Sequence, residues 1–301
     1  MTVPSVSLTK DGLKLSRLVY GVWRLHEDKE GSSPQTILRK IETCLELGID
    51  SFDHADIYGD FGNEALFGKA LETKKELKSK IKVITKCGIQ IPGNTFHTKH
   101  YNTSSSHITH SVENSLKHLG LDKIDLLLIH RPDPLMDAEE ISRTFLKLKK
   151  EGKVDYFGVS NFTVSQFRML QSKIDIPLVT NQVEFNPFHV EPLFDGTFDL
   201  AQELGFSSMV WSPTAGGAVF SPKEEKQKIV LSVLTEIANK YEKTADQILY
   251  SWFFTHPSRL IPVLGTNDLN RIRSAGGSFG FHLTKEEWFR VLEAGMGKPV
   301  S

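Results

Sequence analysis

Cysteine is scarce in this chain. Cys44 and Cys87, two in 301 residues, cannot build a disulfide framework, and they show no zinc-ligand spacing. Long apolar runs are missing as well. No stretch approaches the roughly 20 residues needed to cross a bilayer. The N-terminal MTVPSVSLTKDG also lacks the basic-then-apolar order of a secretory leader. There is no excess of either charge: 36 basic residues face 37 acidic ones, a formal net charge of −1. No basic surplus is therefore available to grip phosphate backbones, so nucleic acid is not expected as a partner, and neither is a membrane. The expected compartment is the cytoplasm. No Pro/Gly/Ser-rich linker interrupts the middle of the chain, so residues 1–301 are expected to form one domain.

What is present is a repeating alternation of strand-like and helix-like segments. Ser5–Leu8 and Leu13–Ser16 flank Lys10-Asp11-Gly12, a hairpin signal ahead of the main fold. Leu18–Val22 reads as the first core strand. Ser33 and Pro34 then supply a helix cap and a first-turn proline, and Ile37, Ile41, Cys44 and Leu45 share one helical face up to Gly48. Further strands are expected at 51–53, 81–86, 124–130, 156–160, 178–183, 207–212 and 260–264, with helices between them. Additional helices are expected near 224–241 and from Thr284. Eight strands, each followed by helix, favour an α/β fold of the closed (β/α)8 TIM-barrel type, with an N-terminal β-hairpin and extra helices, over an open sheet.

In such a barrel the strand C-termini ring one mouth. Asp53, Lys86 and His130 fall there, and Tyr58 follows Asp53 in the stretch FDHADIYG, Phe52 to Gly59. A phenol is a poor acid at neutral pH unless a neighbouring cation favours the phenolate, and a buried lysine needs a counter-ion, which Asp53 offers. With a histidine to orient an oxygen, these groups could protonate a developing alkoxide, as carbonyl reduction requires. The hydride must come from a cofactor. Ser160, Asn161 and Gln182 have the donors and acceptors to fix a carboxamide. Trp211 could carry a nicotinamide ring. Val22 and Trp23 follow the first strand, and Ser212, Pro213, Thr214 and Gly216 form a small-residue loop able to approach a pyrophosphate. Gly265 and Thr266, with Arg271 on the next helix, read as a phosphate site.

These residues lie in motifs that resemble the aldo-keto reductase family from Arg17 to Arg273. The motifs are GVWR (Gly21 to Arg24), FDHADIYG, VITK (Val83 to Lys86), LLLIHRPDP (Leu126 to Pro134), GKVDYFGVSNF (Gly152 to Phe162), TNQVEFNP (Thr180 to Pro187), WSP and IPVLGT (Ile261 to Thr266). HRPDPLMDA and FDHADIYG point to a bacterial branch. The resemblance implies an NADPH-dependent reductase of aldehydes or ketones, with a small-molecule carbonyl substrate and NADH not excluded as cofactor. It implies Tyr58 as proton donor, Lys86 lowering its pKa, Asp53 pairing with Lys86, and His130 orienting the carbonyl. Ser160, Asn161 and Gln182 would hold the carboxamide, Trp211 would stack on the nicotinamide, and Thr266 and Arg271 would lie near the 2′-phosphate. Several positions depart from the family pattern. His54 stands where many members have a small residue, and the acidic residue after the tyrosine is displaced to Glu64. Gly265 replaces a basic residue, and Ser274 and Ala275 replace adenine-holding ones.

Two alternatives come from other classes. An NADP(H)-binding regulatory or redox-sensing subunit with slow turnover would be expected to carry an extended N-terminal arm, which the sequence does not show. A metal-dependent hydrolase using Asp53, His54 and His130 conflicts with strand alternation, which sends Asp53 and His54 to opposite faces. The histidines at 97, 100, 107, 110 and 118 match no standard ligand spacing and are expected on solvated loop and helix positions, some beside the substrate mouth. Cys87, next to Lys86, is expected to be a packed residue. The substrate itself depends on the loops around Trp23, Gln90–Asn102, Glu184–Phe198 and the residues after Ala275. The oligomeric state is not fixed by sequence.

Overall fold

The computed structural model describes residues 2–93 and 97–301. Strands β1 (Ser5–Ser7) and β2 (Lys14–Ser16) form the expected antiparallel hairpin, with Asp11 at positive φ in its turn. β3 (Val19–Gly21) then leads to α1 (Pro34–Glu46). The Ser33 side chain accepts from the Thr36 N–H to start this helix, and Ile37, Ile41 and Cys44 are buried along its inner face. β4 (Ser51–Asp53), α2 (Asn63–Thr73) and β5 (Lys82–Cys87) follow.

The stretch Cys87–Asn102, expected as a loop, contains a second small hairpin, β6 (Ile89–Gln90) paired with β7 (His100–Tyr101). Strands of two residues are too short to show a period. Residues 94–96 in the middle of this stretch lie outside the described residues. The chain continues through α3 (Ser105–Leu119), β8 (Ile124–Ile129), α4 (Ala138–Lys150), β9 (Val154–Ser160) and α5 (Val164–Gln171). β10 (Leu178–Glu184), α6 (Thr197–Leu204), β11 (Met209–Trp211), α7 (Glu225–Tyr241) and α8 (Ala245–Thr255) come next. β12 (Ile261–Leu264), α9 (Leu269–Gly276) and α10 (Lys285–Met296) complete the order.

Eight strands (β3, β4, β5, β8, β9, β10, β11 and β12) run parallel and close into a barrel. The ring is sealed where β12 meets β3 at Val263–Val19 and Leu264–Tyr20. This is a (β/α)8 TIM barrel, with α7 and α10 as extra helices packed on each other. The pleat of β8 sets the layers. Leu126 and Leu128 fill the barrel interior with Ile84, Val179 and Met209, while Leu127 and Ile129 face the outer helices. The β1–β2 hairpin closes the floor. Val6, Leu8, Leu13 and Leu15 pack into the interior cluster, and the Ser207 N–H at the start of the β11 segment donates to the Leu8 carbonyl at 2.7 Å.

β9 stops at Ser160 and β11 at Trp211 because the residues that follow, Asn161 (φ 61°) and Ser212 (φ 55°), turn into the left-handed region. Non-glycine residues pay for such conformations with strain, which concentrates at functional sites. Both residues stand at the open end of the barrel.

Candidate active site

The strand C-termini enclose a cavity of about 960 Å³, in the range typical of small-molecule sites. Asp53 reaches it from the end of β4. Five residues further on, the turn after β4 brings Tyr58 to the wall, and His130 stands directly after β8. Lys86, near the end of β5, is buried just beneath and gives out three hydrogen bonds. Its Nζ donates to Asp53 Oδ2 at 2.7 Å, to the His54 carbonyl at 2.8 Å and to the Tyr58 hydroxyl oxygen at 3.2 Å. An ammonium has three hydrogens, so its donor capacity is used in full. Asp53 is held from its other side by Gln182 Nε2, at 2.9 Å from Oδ1.

Burial works against the Lys86 charge, yet Asp53 and the phenol more than offset it, and the net direction is above the ordinary lysine value. The Tyr58 phenol is pulled both ways. Burial raises its pKa, and Lys86 pulls the other way without reversing the shift, so the lysine moderates the phenol rather than acidifying it outright. His130 is driven well below the ordinary histidine value by burial and by the charges of Lys86, Arg131 and Lys99. It is a neutral imidazole at neutral pH. Its ring stands edge-on to Tyr58, 5.9 Å between centroids, and its Nδ1 is buried without a partner.

The opposite wall carries a chain of polar groups. Trp211 Nε1 donates to Asn161 Oδ1 at 3.0 Å, Asn161 Nδ2 to Ser160 Oγ at 2.7 Å, and Ser160 Oγ to the Gln182 carbonyl at 2.8 Å. The Asn161 amide nitrogen has two hydrogens and gives one of them here, so the set suits a planar amide ligand. Trp23, Ser212, Pro213, Thr214, Gly216 and Gly265 also line the cavity. Besides the buried Lys86, three expected residues do not. The Val22 side chain is buried in the core, and only its backbone faces this end, where its carbonyl accepts from Asn63 Nδ2. Thr266 Oγ1 accepts from the Asp268 N–H in the turn before α9, and Arg271 stands exposed in the first turn of that helix.

The sequence did not single out Arg131, Lys99, Arg24, Phe188 or His189, all of which line the cavity. Arg131 could have been found, since it directly follows His130 at a strand end. Its guanidinium lies over the Trp211 ring, 5.6 Å from the centroid, so a nicotinamide stacking there must take the other face or displace it. Among the described residues, none after Gly265 lines the cavity. The C-terminal segment instead supports the loop after β10 from behind. Gly295 of α10 lies so close to it that a Cβ would stand 1.9 Å from the Pro187 carbonyl oxygen.

His54 points away from the cavity and packs edge-on against Phe67 of α2, 4.6 Å between ring centroids, so it cannot share a ligand with Asp53. Among the described residues no group of three histidine, cysteine or acidic side chains is placed to hold a metal ion. His107 meets Gln90 and His110 meets Asn114 instead. Glu64 is buried behind β5, accepting from Thr85 Oγ1 at 2.6 Å. Cys87 is buried and its thiol is pushed well up by burial, which makes it a packed residue and a poor nucleophile.

Comparison with known proteins agrees with this geometry. The model of the aldo/keto reductase family matches residues 17–295. The chain is 44% identical to the oxidoreductase YcsN of Bacillus subtilis (strain 168), over 98% of this chain and 99% of that one. It is 41% identical to a 6-dehydroglucose reductase of Agrobacterium fabrum, over 97% and 98%. Oxidoreductase YdhF of Escherichia coli (strain K12), from the branch to which HRPDPLMDA and FDHADIYG point, is 39% identical over 99% of both chains. In fold, the chain superposes on the crystal structure of a thermostable aldo-keto reductase, Tm1743, with a TM-score of 0.81, covering 97% of this chain and 99% of that one at 24% identity. Among the described residues no helix is long and apolar enough to cross a membrane. The chain belongs to the aldo/keto reductase family and is an oxidoreductase.

Proposed function

We propose that the protein reduces aldehyde or ketone carbonyls with NADPH, Tyr58 delivering the proton. When bound, the cofactor supplies the hydride. Ser160, Asn161 and Gln182 would hold its carboxamide, Trp211 its nicotinamide ring, and the small-residue loop Ser212, Pro213, Thr214 and Gly216 its pyrophosphate. Gly265, the half-buried Thr266 in the turn before α9 and the exposed Arg271 in its first turn would meet the 2′-phosphate.

The observation that carries the reading is the placement of the Lys86 ammonium under the phenol. Because the phenol oxygen accepts from Lys86, its own proton remains to be given to a substrate oxygen in the cavity. As that proton leaves, the growing phenolate meets a full positive charge already in place, and no reorganisation is needed. Asp53 keeps the lysine charged and pointed. Neutral His130 offers a second N–H donor to the same substrate oxygen without competing as an acid. A subunit that only senses cofactor has no need of a charged lysine under a phenol, which makes the regulatory reading the weaker one.

The test is a fluorescence titration with NADPH and NADH, followed by turnover on a panel of reactive aldehydes that includes 6-dehydroglucose, named for the Agrobacterium fabrum relative. Tight NADPH binding with aldehyde-dependent oxidation of the cofactor is the expected result. Binding without any turnover across pH would sink the reductase reading.

A further inference from the structure

The cavity holds a cation that proton delivery does not use. Arg131 lines the wall beside His130, half-buried, with its guanidinium over Trp211. Among the described residues no carboxylate forms an ion pair with it, and none forms one with Lys99, a second cation on the same wall. The carboxylates of the cavity are committed elsewhere or lie at its rim. Asp53 holds Lys86, Glu184 accepts from Asn186 at 3.4 Å, Glu27 faces His26 at 3.7 Å, and Asp60 is exposed. The charges that act on His130 are all cationic. Lys86, Arg131 and Lys99 all act on His130 in the same sense.

A neutral carbonyl compound would leave the planar guanidinium fork beside it unanswered. A carboxylate matches the fork with two parallel charge-assisted hydrogen bonds, stronger than neutral ones. The position is also apt, because a group next to His130 can reach the far end of a molecule whose carbonyl lies against Tyr58. We propose that Arg131 selects carbonyl substrates that carry a carboxylate, gripping the anion while Tyr58 and His130 address the carbonyl. The proposal rests on the carbonyl-reductase reading and narrows its substrate class to oxoacids.

The experiment compares 4-oxobutanoate and 5-oxopentanoate with their methyl esters, using NADPH and steady-state kinetics. The wild-type protein should favour each acid over its ester in kcat/KM. In Arg131→Met that ratio should fall about tenfold or more, mainly through KM of the acid, as expected for losing a charge-assisted pair. Arg131→Lys should fall between the two, because it keeps the charge and loses the fork. If Arg131→Met does not fold, the wild-type ratio still decides, since it should shrink as salt is raised. Esters reduced as well as acids by the wild-type protein, or a ratio unmoved in Arg131→Met or Arg131→Lys, would overturn the selection while leaving the reductase reading intact. No reduction of acid, ester or any simple aldehyde would remove both.

Discussion

Lys86 Nζ lies 3.2 Å from the Tyr58 hydroxyl oxygen and 2.7 Å from Asp53 Oδ2, so one buried ammonium joins the phenol to its counter-ion. Tyr58→Phe removes the proton and keeps the ring. Turnover should drop by about 100-fold or more, while NADPH affinity stays close to wild type. Single-turnover kinetics beside a fluorescence titration separate the two quantities. Full activity in the variant would assign the proton to another group.

Asp53→Asn leaves the Lys86 charge buried without an anion. Breaking a buried pair in this way costs about 3–5 kcal/mol. Urea denaturation near pH 7 should show that loss. The double variant Asp53→Asn/Lys86→Met should recover part of it while remaining inactive. A single variant as stable as wild type would mean that the ammonium is held by other acceptors.

His54 gives a prediction in pH. Its ring is buried with neither nitrogen bonded, and burial, then Lys86, depresses its pKa to about 3. The folded protein therefore holds this histidine neutral while the unfolded chain takes up a proton below its ordinary pKa of 6.5. Stability is complete above that value and declines as pH falls from 6.5 towards 3. At pH 5 the share lost is about 2 kcal/mol. His54→Leu should flatten that slope and raise stability at pH 5 more than at pH 8. It keeps the backbone carbonyl that accepts from Lys86. Denaturation curves at the two pH values give the answer, and equal effects at both would contradict the assignment.

Gly295→Ala tests the support behind the cavity. With a Cβ only 1.9 Å from the Pro187 oxygen, α10 or the loop it backs must move. Overpacking of this kind costs about 1–3 kcal/mol. Because Phe188 and His189 in that loop line the cavity, KM for the carbonyl substrate should rise along with the drop in Tm. An unchanged KM would show that the loop absorbs the shift elsewhere.

Much of the barrel could be read in advance because its punctuation is local. Helices α3, α4, α5 and α8 begin and end where their caps Ser104, Asp137, Thr163 and Thr244 and the following breaks set them. What escaped was decided by tertiary geometry. Nothing in the sequence around Ser212 announces a positive φ, so β11 was expected to run one residue longer at that end. The β6–β7 hairpin is too short to carry a pattern. The four expected catalytic residues lie together because strand ends converge in any closed barrel. Val22, Thr266 and Arg271 were expected from motif, and a motif does not say whether a side chain lines the cavity wall or stands beside it. Arg131 was passed over for the same reason: its relation to Trp211 spans two strands that the sequence separates by 80 positions.

The hairpin that closes the barrel floor has a consequence for traffic. With Leu8 and Leu15 seated below the interior, the chamber has its opening at the strand C-termini. If Tyr58 delivers the proton as proposed, whatever restores that proton after a turnover would come in by the doorway through which product departs, the opening the described residues leave at this end. Refilling the acid and emptying the cavity would then be successive uses of that passage, and a molecule that lingers in the mouth would delay both.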